Sequence, residues 1–237
     1  MRDAMKEVPP AVPKIQFSCL VVVLAAALLP AAQTARAQSL SPLFTDQDVV
    51  FEPSLLGDWG EFTLQQGPDN SYDVVVRDTN TIKLRAYLVR LGRYYFFDVT
   101  PDNLPRTCTA DFPNLRSSPG GSDDSYLAVC NDSGLSSLLV EARPGKSGDS
   151  YQVKVIKAHL IFRAWLDGPD NFRVGLASED WLKRCAADGS LALPYRMAGD
   201  DVFLTASTEE LQRFFFANAE NPQSFTQYDI LEFHRKN

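Results

Sequence analysis

Ile82-Lys83-Leu84-Arg85-Ala86-Tyr87-Leu88-Val89-Arg90-Leu91-Gly92-Arg93-Tyr94-Tyr95-Phe96-Phe97-Asp98-Val99 is the stretch that decides the fold class. Ile82, Leu84, Ala86 and Leu88 alternate with Lys83, Arg85 and Tyr87. That period of two buries one face of a strand and leaves the other polar. Gly92 reverses the chain into Tyr94–Val99, which is apolar on both sides. A strand of that kind belongs at the centre of a sheet or beneath a helix.

The same grammar extends in both directions. Upstream, an extended lead-in over 38–56 precedes a strand expected from Trp59 to Gln66. The turn Gly67-Pro68-Asp69-Asn70 follows, then a strand over Tyr72–Arg77. Downstream, residues 101–125 lack any period and hold Pro101, Pro105, Pro113, Pro119, Gly120 and Gly121, which reads as a loop insertion. Strand signals return at Tyr126–Cys130, Ser137–Ala142 and Tyr151–Leu166. The turn Gly168-Pro169-Asp170-Asn171 repeats the four letters of 67–70 because Pro presets one dihedral and Asn tolerates the next. Ser178-Glu179-Asp180 opens one helix with an N-cap and two acids at the positive end of its dipole. Ser207-Thr208-Glu209-Glu210 opens a second as a capping box, with Leu211, Phe214, Phe215 and Ala219 on one face. A last strand runs from Tyr228 to Phe233. About nine strands and two short helices predict a mainly β domain. Its form is an antiparallel barrel or a strongly curved sheet, with helices over an opening or a flank.

The start of the chain is of another kind. Arg2, Lys6 and Lys14 precede an apolar run from Cys19 to Leu29, and Pro30 ends it ahead of Ala35-Arg36-Ala37. This is the pattern of a secretory signal peptide over residues 1–37, cleaved after Ala37. The run is too short for a transmembrane helix, which needs about 20 apolar residues. Cys19 does not suit lipid anchoring, since Gln16-Phe17-Ser18 stands where a leucine-led small-residue box belongs. The mature chain is then one β-rich domain, 38–237, in the periplasm or outside the cell. Loss of 1–37 leaves 19 Lys+Arg against 28 Asp+Glu, a net charge of −9, from totals of 23 and 30. That sign excludes a phosphate backbone as partner.

Three cysteines survive the cut. Cys108 and Cys130 flank the loop insertion and are expected to form a disulfide; closing a loop of about 22 residues is worth roughly 3 kcal/mol. Cys185 lies in the first helix as a free thiol.

No catalytic constellation emerges, and no cofactor is implied. Gly134-Leu135-Ser136-Ser137-Leu138 fails the nucleophile-elbow pattern at its last position. His159 and His234 have no ligand-spaced Cys, Asp or Glu beside them, so no metal site is expected. The acid pairs Asp123-Asp124 and Asp200-Asp201 sit in turns where solvated Asp is ordinary. The aromatic surplus carries more. Phe162, Trp165 and Phe216, which lies off the helix stripe, are the candidate ligand-binding residues. The competing reading buries the second helix on two sides.

Gly57-Asp58-Trp59 resembles the Gly-X-Trp opening of lipocalin-like barrels, in which the Trp plugs the closed end; a core Trp after a turn Gly has the same letters. Several stretches together resemble an uncharacterised family of small exported bacterial proteins, many of them lipoproteins. They are Phe44-Thr45-Asp46 through Trp59, Tyr87–Gly92, His159-Leu160, Glu179–Leu182 and Leu204–Leu211. The resemblance implies an envelope location and a lipocalin-like β fold, and no reaction. Two functions stay open. One is a binding protein for an apolar small molecule, signalled by an apolar cavity of at least ~300 Å³. The other is a structural or protein-interaction module of the envelope, signalled by a filled interior with aromatics outside.

Overall fold

Alternating side chains do form strands wherever the pattern is strong. The structure, a computed structural model, describes residues 38–76, 84–102, 126–132, 135–144, 151–198, 201–225 and 230–236, with backbone alone over 126–132, 135–144, 151–155 and at 198. The strands are β1 (Gln38–Ser39), β2 (Gly57–Asp58), β3 (Phe62–Gln66), β4 (Tyr72–Val76), β5 (Leu84–Leu91), β6 (Tyr94–Pro101), β7 (Tyr126–Asp132), β8 (Leu135–Pro144), β9 (Tyr151–Val155), β10 (His159–Leu166), β11 (Asn171–Leu176), β12 (Tyr195–Ala198), β13 (Asp201–Leu204) and β14 (Leu231–His234). The helices are α1 (Glu179–Ala187) and α2 (Thr208–Ala217).

Eleven strands make one mixed sheet, ordered β12-β13-β1-β10-β6-β5-β4-β3-β2, with β11 and β14 branching from β10. Only β1 and β13 run parallel. The other three, β7-β8-β9, form a separate antiparallel sheet. The large sheet is not closed by strand pairing. Its free edges at β2 and β14 nevertheless approach each other just past β14. There Lys236 N donates to Asp58 O at 2.9 Å, and the Arg235 guanidinium donates to the carbonyls of Leu56 (2.6 Å), Ser54 and Pro169.

Two cores use the two faces. On the inner face, alternate residues of seven strands meet: Phe62, Val74, Ala86, Phe97, Phe162, Phe172 and Phe233 are among them. On the outer face, Val89, Phe96 and Ile161 pack under Trp181 and Leu182 of α1 and Leu211 and Phe215 of α2. Strand β6 therefore has Phe96 on one core and Phe97 on the other, as its two-sided apolar pattern predicts. Each fully buried Phe or Leu is worth about 1.5–3 kcal/mol, so helices docked this way stabilise the sheet as much as the sheet stabilises them.

Both helix starts form as the sequence implies. Ser178 Oγ accepts from Trp181 N at 3.2 Å. Ser207 and Glu210 exchange the reciprocal bonds of a capping box. The lead-in over 38–56 is held by two buried polar groups. Asp98, fully buried, accepts from Leu43 N at 2.7 Å and pairs with His159 Nδ1 at 2.7 Å. The Tyr72 hydroxyl accepts from Glu52 N at 2.7 Å and donates to Glu52 O at 3.1 Å. Burial pushes that phenol up to about 12.

Several expectations are corrected. Trp59 does not begin a strand. It stands in the connection between β2 and β3, where Gly60 N caps on Asp58 Oδ1 at 3.0 Å. The segment Tyr151–Leu166 is two strands in two sheets, parted by Ile156-Lys157-Ala158. The tally of nine strands falls short of the fourteen among the described residues: β1, β2, β12 and β13 are too short to carry a pattern, and the alternation of Phe172, Val174 and Leu176 in β11 was overlooked. Phe216 is 48 % exposed, so α2 is not buried on two sides. The signal peptide over 1–37, Cys108, the loop at 103–125 and Asp200 lie outside the described residues, as does the Cys130 side chain. Among the described residues no helix is long and apolar enough to cross a membrane.

Candidate functional site

Strand parity separates the three aromatic candidates. Along β10, Leu160, Phe162 and Ala164 face the inner core, whereas Ile161, Arg163 and Trp165 face outward. Phe162 and Trp165 thus lie on opposite sides of the same strand. Phe216 is on the outer side as well, on α2, stacked at a tilt on Tyr94 with ring centroids 5.5 Å apart and seated over Gly92.

The inner face leaves little room. Phe62, Phe97, Phe162, Phe172 and Phe233 line a cavity of about 60 Å³, walled by apolar side chains. Trp59 packs behind one lining residue, Phe172. Its indole Nε1 donates to Leu55 O at 2.8 Å, its ring meets Phe172 edge-on at 4.7 Å, and Arg235 lies 4.7 Å over its face. Gly57 makes this approach feasible. Its φ is +132°, and a Cβ there would stand 2.6 Å from Arg235 Nη1. A pocket of 60 Å³ is well below the ~300–1,000 Å³ of ordinary small-molecule sites.

The outer face is different. A groove of about 560 Å³ opens between the outward side chains of β6 and β10 and the turn after α2. Its walls include Tyr94, Arg163, Trp165, Glu220, Pro222 and Phe225. The sequence builds it locally. Asn218 caps α2, its N–H and Nδ2 both donating to Phe214 O. The chain then turns through Asn221 N to Asn218 O at 3.1 Å and Ser224 N to Asn221 O at 3.0 Å. Ser178 N donates to Ser224 O at 2.8 Å, and Ala177 bridges Phe225, which clips the turn to the start of α1. Trp165 reaches across Gly175, where an added Cβ would press on its ring at 3.3 Å.

Arg163 forms the floor of the groove. It is 6 % exposed, and its guanidinium carbon lies 4.8 Å from the Tyr94 ring, 5.3 Å from Phe96 and 5.1 Å from Trp165. Nη1 donates to Tyr95 O at 2.5 Å and to Ala164 O. Buried Nε has no hydrogen-bond partner, and among the described residues no carboxylate pairs with Arg163. Burial brings its pKa down to about 10, opposed by the Tyr94 hydroxyl and the Glu220 carboxylate. It is still a cation at neutral pH. The neighbouring guanidiniums are committed: Arg93 Nη2 meets Glu220 Oε1 at 2.5 Å, and Arg173 Nε meets Asp167 Oδ2 at 2.5 Å. Sequence reading missed Arg163. The one signal for it was a charge inside the apolar alternation of β10.

A second buried ionic cluster sits at the start of α1. The Glu179 carboxylate, fully buried, is 2.8 Å from Lys183 Nζ. Burial and the nearby Asp201 carboxylate push Glu179 up to about 7, against the pull of Lys183. Neither the inner cavity nor the outer groove is lined by Glu179 or Lys183. His159 is occupied by Asp98, and His234 Nδ1 lies 2.5 Å from Asn171 Oδ1. Among the described residues no three His, Cys, Asp or Glu side chains gather as metal ligands. Cys185 is a free, half-buried thiol against the outer core.

No family model, curated protein or solved structure matches the chain.

Proposed function

We propose that this protein is a small-molecule-binding module of the cell envelope, and that its site is the outer groove. A filled interior with an exposed aromatic outside, Phe216, is the pattern expected of an interaction module; the observation that favours a small-molecule site instead is the contrast in space. The inner face is packed down to about 60 Å³, while about 560 Å³ stays open beside Tyr94, Trp165 and Phe225. The second volume falls within the range of sites that hold a metabolite-sized ligand. An aromatic wall supplies contact area at little entropic cost, because each ring has few rotatable bonds.

In this reading β2, β3, β4, β5, β6, β10, β11 and β14 form a lipocalin-like barrel. Arg235 and Lys236 bridge its last seam through hydrogen bonds to the β2 region. Trp59, under Arg235 and against Phe172, serves as the plug of the closed end. The barrel interior then acts as a core and the ligand sits outside it. Export belongs to the same reading, with a cut after Ala37 that removes residues 1–37. The reading is of a binder and assigns no reacting group.

Native mass spectrometry of gently purified protein tests it. The chain is expected to carry a small organic adduct, which Trp165→Ala releases and Phe162→Leu retains. Loss of the adduct from F162L with retention in W165A would place the ligand inside and overturn the proposal. A chain with no adduct that captures another envelope protein through Phe216 would favour the interaction-module reading instead.

A further inference from the structure

Resting on the groove reading, we propose that the ligand is an acid, a flat or apolar body bearing one carboxylate that pairs with Arg163. The first ground is an unmet demand. A buried guanidinium normally has each N–H satisfied and a counter-charge close by. Arg163 is 94 % buried by its 6 % exposure, bonds two strand carbonyls through Nη1, and leaves Nε without a partner. An arriving carboxylate would supply both the acceptor and the charge, in the geometry that guanidinium forks favour.

The second ground is the sign of the groove within an acidic molecule. Among the described residues its lining holds Arg93 and Arg163 against Glu220. Glu220 is taken by Arg93 at 2.5 Å, out at the rim where both side chains are about two-thirds exposed. Asp167 pairs with Arg173, and the Glu232 charge acts on that residue too. Among the described residues Arg163 is left without an ion-pair partner at the floor of the groove.

The third ground excludes the opposite class. A cationic ligand would need free aromatic faces. Tyr94 already carries Arg93 at 4.9 Å and Arg163 at 4.8 Å, and Trp165 carries Arg163 at 5.1 Å and Arg173 at 5.5 Å. Those rings are spent on the protein's own cations. What remains for the body of the ligand is the apolar wall formed by Pro222, Phe225 and Ile230, beside a Trp165 ring that can still give apolar contact though its faces already hold cations.

The experiment uses a matched pair of probes on the mature full chain: 2-naphthylacetate and its neutral amide, 2-naphthylacetamide, titrated by calorimetry. The acid is expected to bind at least tenfold more tightly than the amide. Arg163→Met should erase that preference. Should R163M fail to fold, Glu220→Gln in an Arg93→Met background provides an independent arm. It removes the rim anion without freeing its partner cation, so acid binding should strengthen at least threefold. Equal affinity for the two probes would overturn the acid assignment while the groove reading stands. Binding of neither probe would overturn the groove reading itself. Acid preference that survives R163M, or acid affinity unmoved by E220Q in the R93M background, would also sink the role of Arg163.

Discussion

Replacing Phe172 by Ala tests whether the inner face is a packed core. Phe172 is 2 % exposed and is the hub of the inner aromatics. Its ring stands 4.7 Å from Trp59, 5.0 Å from Phe233, 6.1 Å from Phe97 and 6.4 Å from Phe62. Truncation removes about 100 Å³ of side chain, which at about 24 cal/mol per Å³ costs about 2.4 kcal/mol as cavity. The lost transfer free energy adds about 2 kcal/mol. The sum, about 4 kcal/mol, is a large share of the ~5–15 kcal/mol that holds a domain together. Urea unfolding should show this as a lower midpoint at unchanged slope.

The new void joins the existing 60 Å³ pocket, giving a dry apolar space on the order of 150 Å³, large enough for benzene. Saturating benzene should therefore raise the midpoint of F172A and leave the wild type where it was. A loss below about 1.5 kcal/mol would mean that the inner face collapses around the gap and was never tightly packed. Stabilisation of the wild type by benzene would mean that the interior already admits a guest. Either result removes the contrast on which the groove reading stands.

Other outcomes follow from single contacts. Burial holds Glu179 up to about 7, above its ordinary 4.5, so the folded state binds that proton more tightly than the unfolded one. Its stabilising contribution is full below about pH 4.5 and is lost as pH rises through 7; stability of the wild type relative to Glu179→Gln should fall across that window in urea titrations, and parallel curves would refute it. Gly57→Ala should destabilise by about 2–3 kcal/mol through backbone strain, and by more than Gly168→Ala. Gly168 has a similar φ of +130° but nothing within 4 Å of its Cβ position, so equal losses would show that the close approach of Arg235 is inconsequential. Ser207→Ala removes the capping box and should cost about 1 kcal/mol, read from thermal unfolding. Mass spectrometry of protein from its native host should find a chain beginning at Gln38 with one free thiol after unfolding without reduction. A retained Met1 would refute the leader, and three free thiols the Cys108–Cys130 bridge.

Which parts of this architecture were legible in the sequence follows from how burial writes a pattern. Strands β5 and β6 were plain because each lies between two partners, so every residue of Leu84–Leu91 and Tyr94–Pro101 answers to a face. Both helices were plain because their caps, Ser178 and Ser207, are local chemistry needing no tertiary context. Short strands at the sheet's margins were hidden. Gln38–Ser39 holds two residues and takes its place from partners distant in sequence, β10 and β13, while Tyr195–Ala198 holds only four and pairs with its neighbour β13 at the end of the sheet. Parity misled the site reading in an instructive way. Phe162 and Trp165 were grouped because both are large and aromatic, yet a separation of three residues on a strand sends them to opposite faces. The groove itself could not be read, because it joins β6, β10 and the turn after α2, three segments with no shared period. Arg163 was the available clue. A charge at an outward position of β10 ordinarily meets water, but here the rings of Tyr94, Phe96 and Trp165 surround the guanidinium and leave Arg163 6 % exposed. The fold thus sets a cation with no ion-pair partner among the described residues beside an open groove of about 560 Å³, and that conjunction, rather than any motif, carries the proposal of a ligand there.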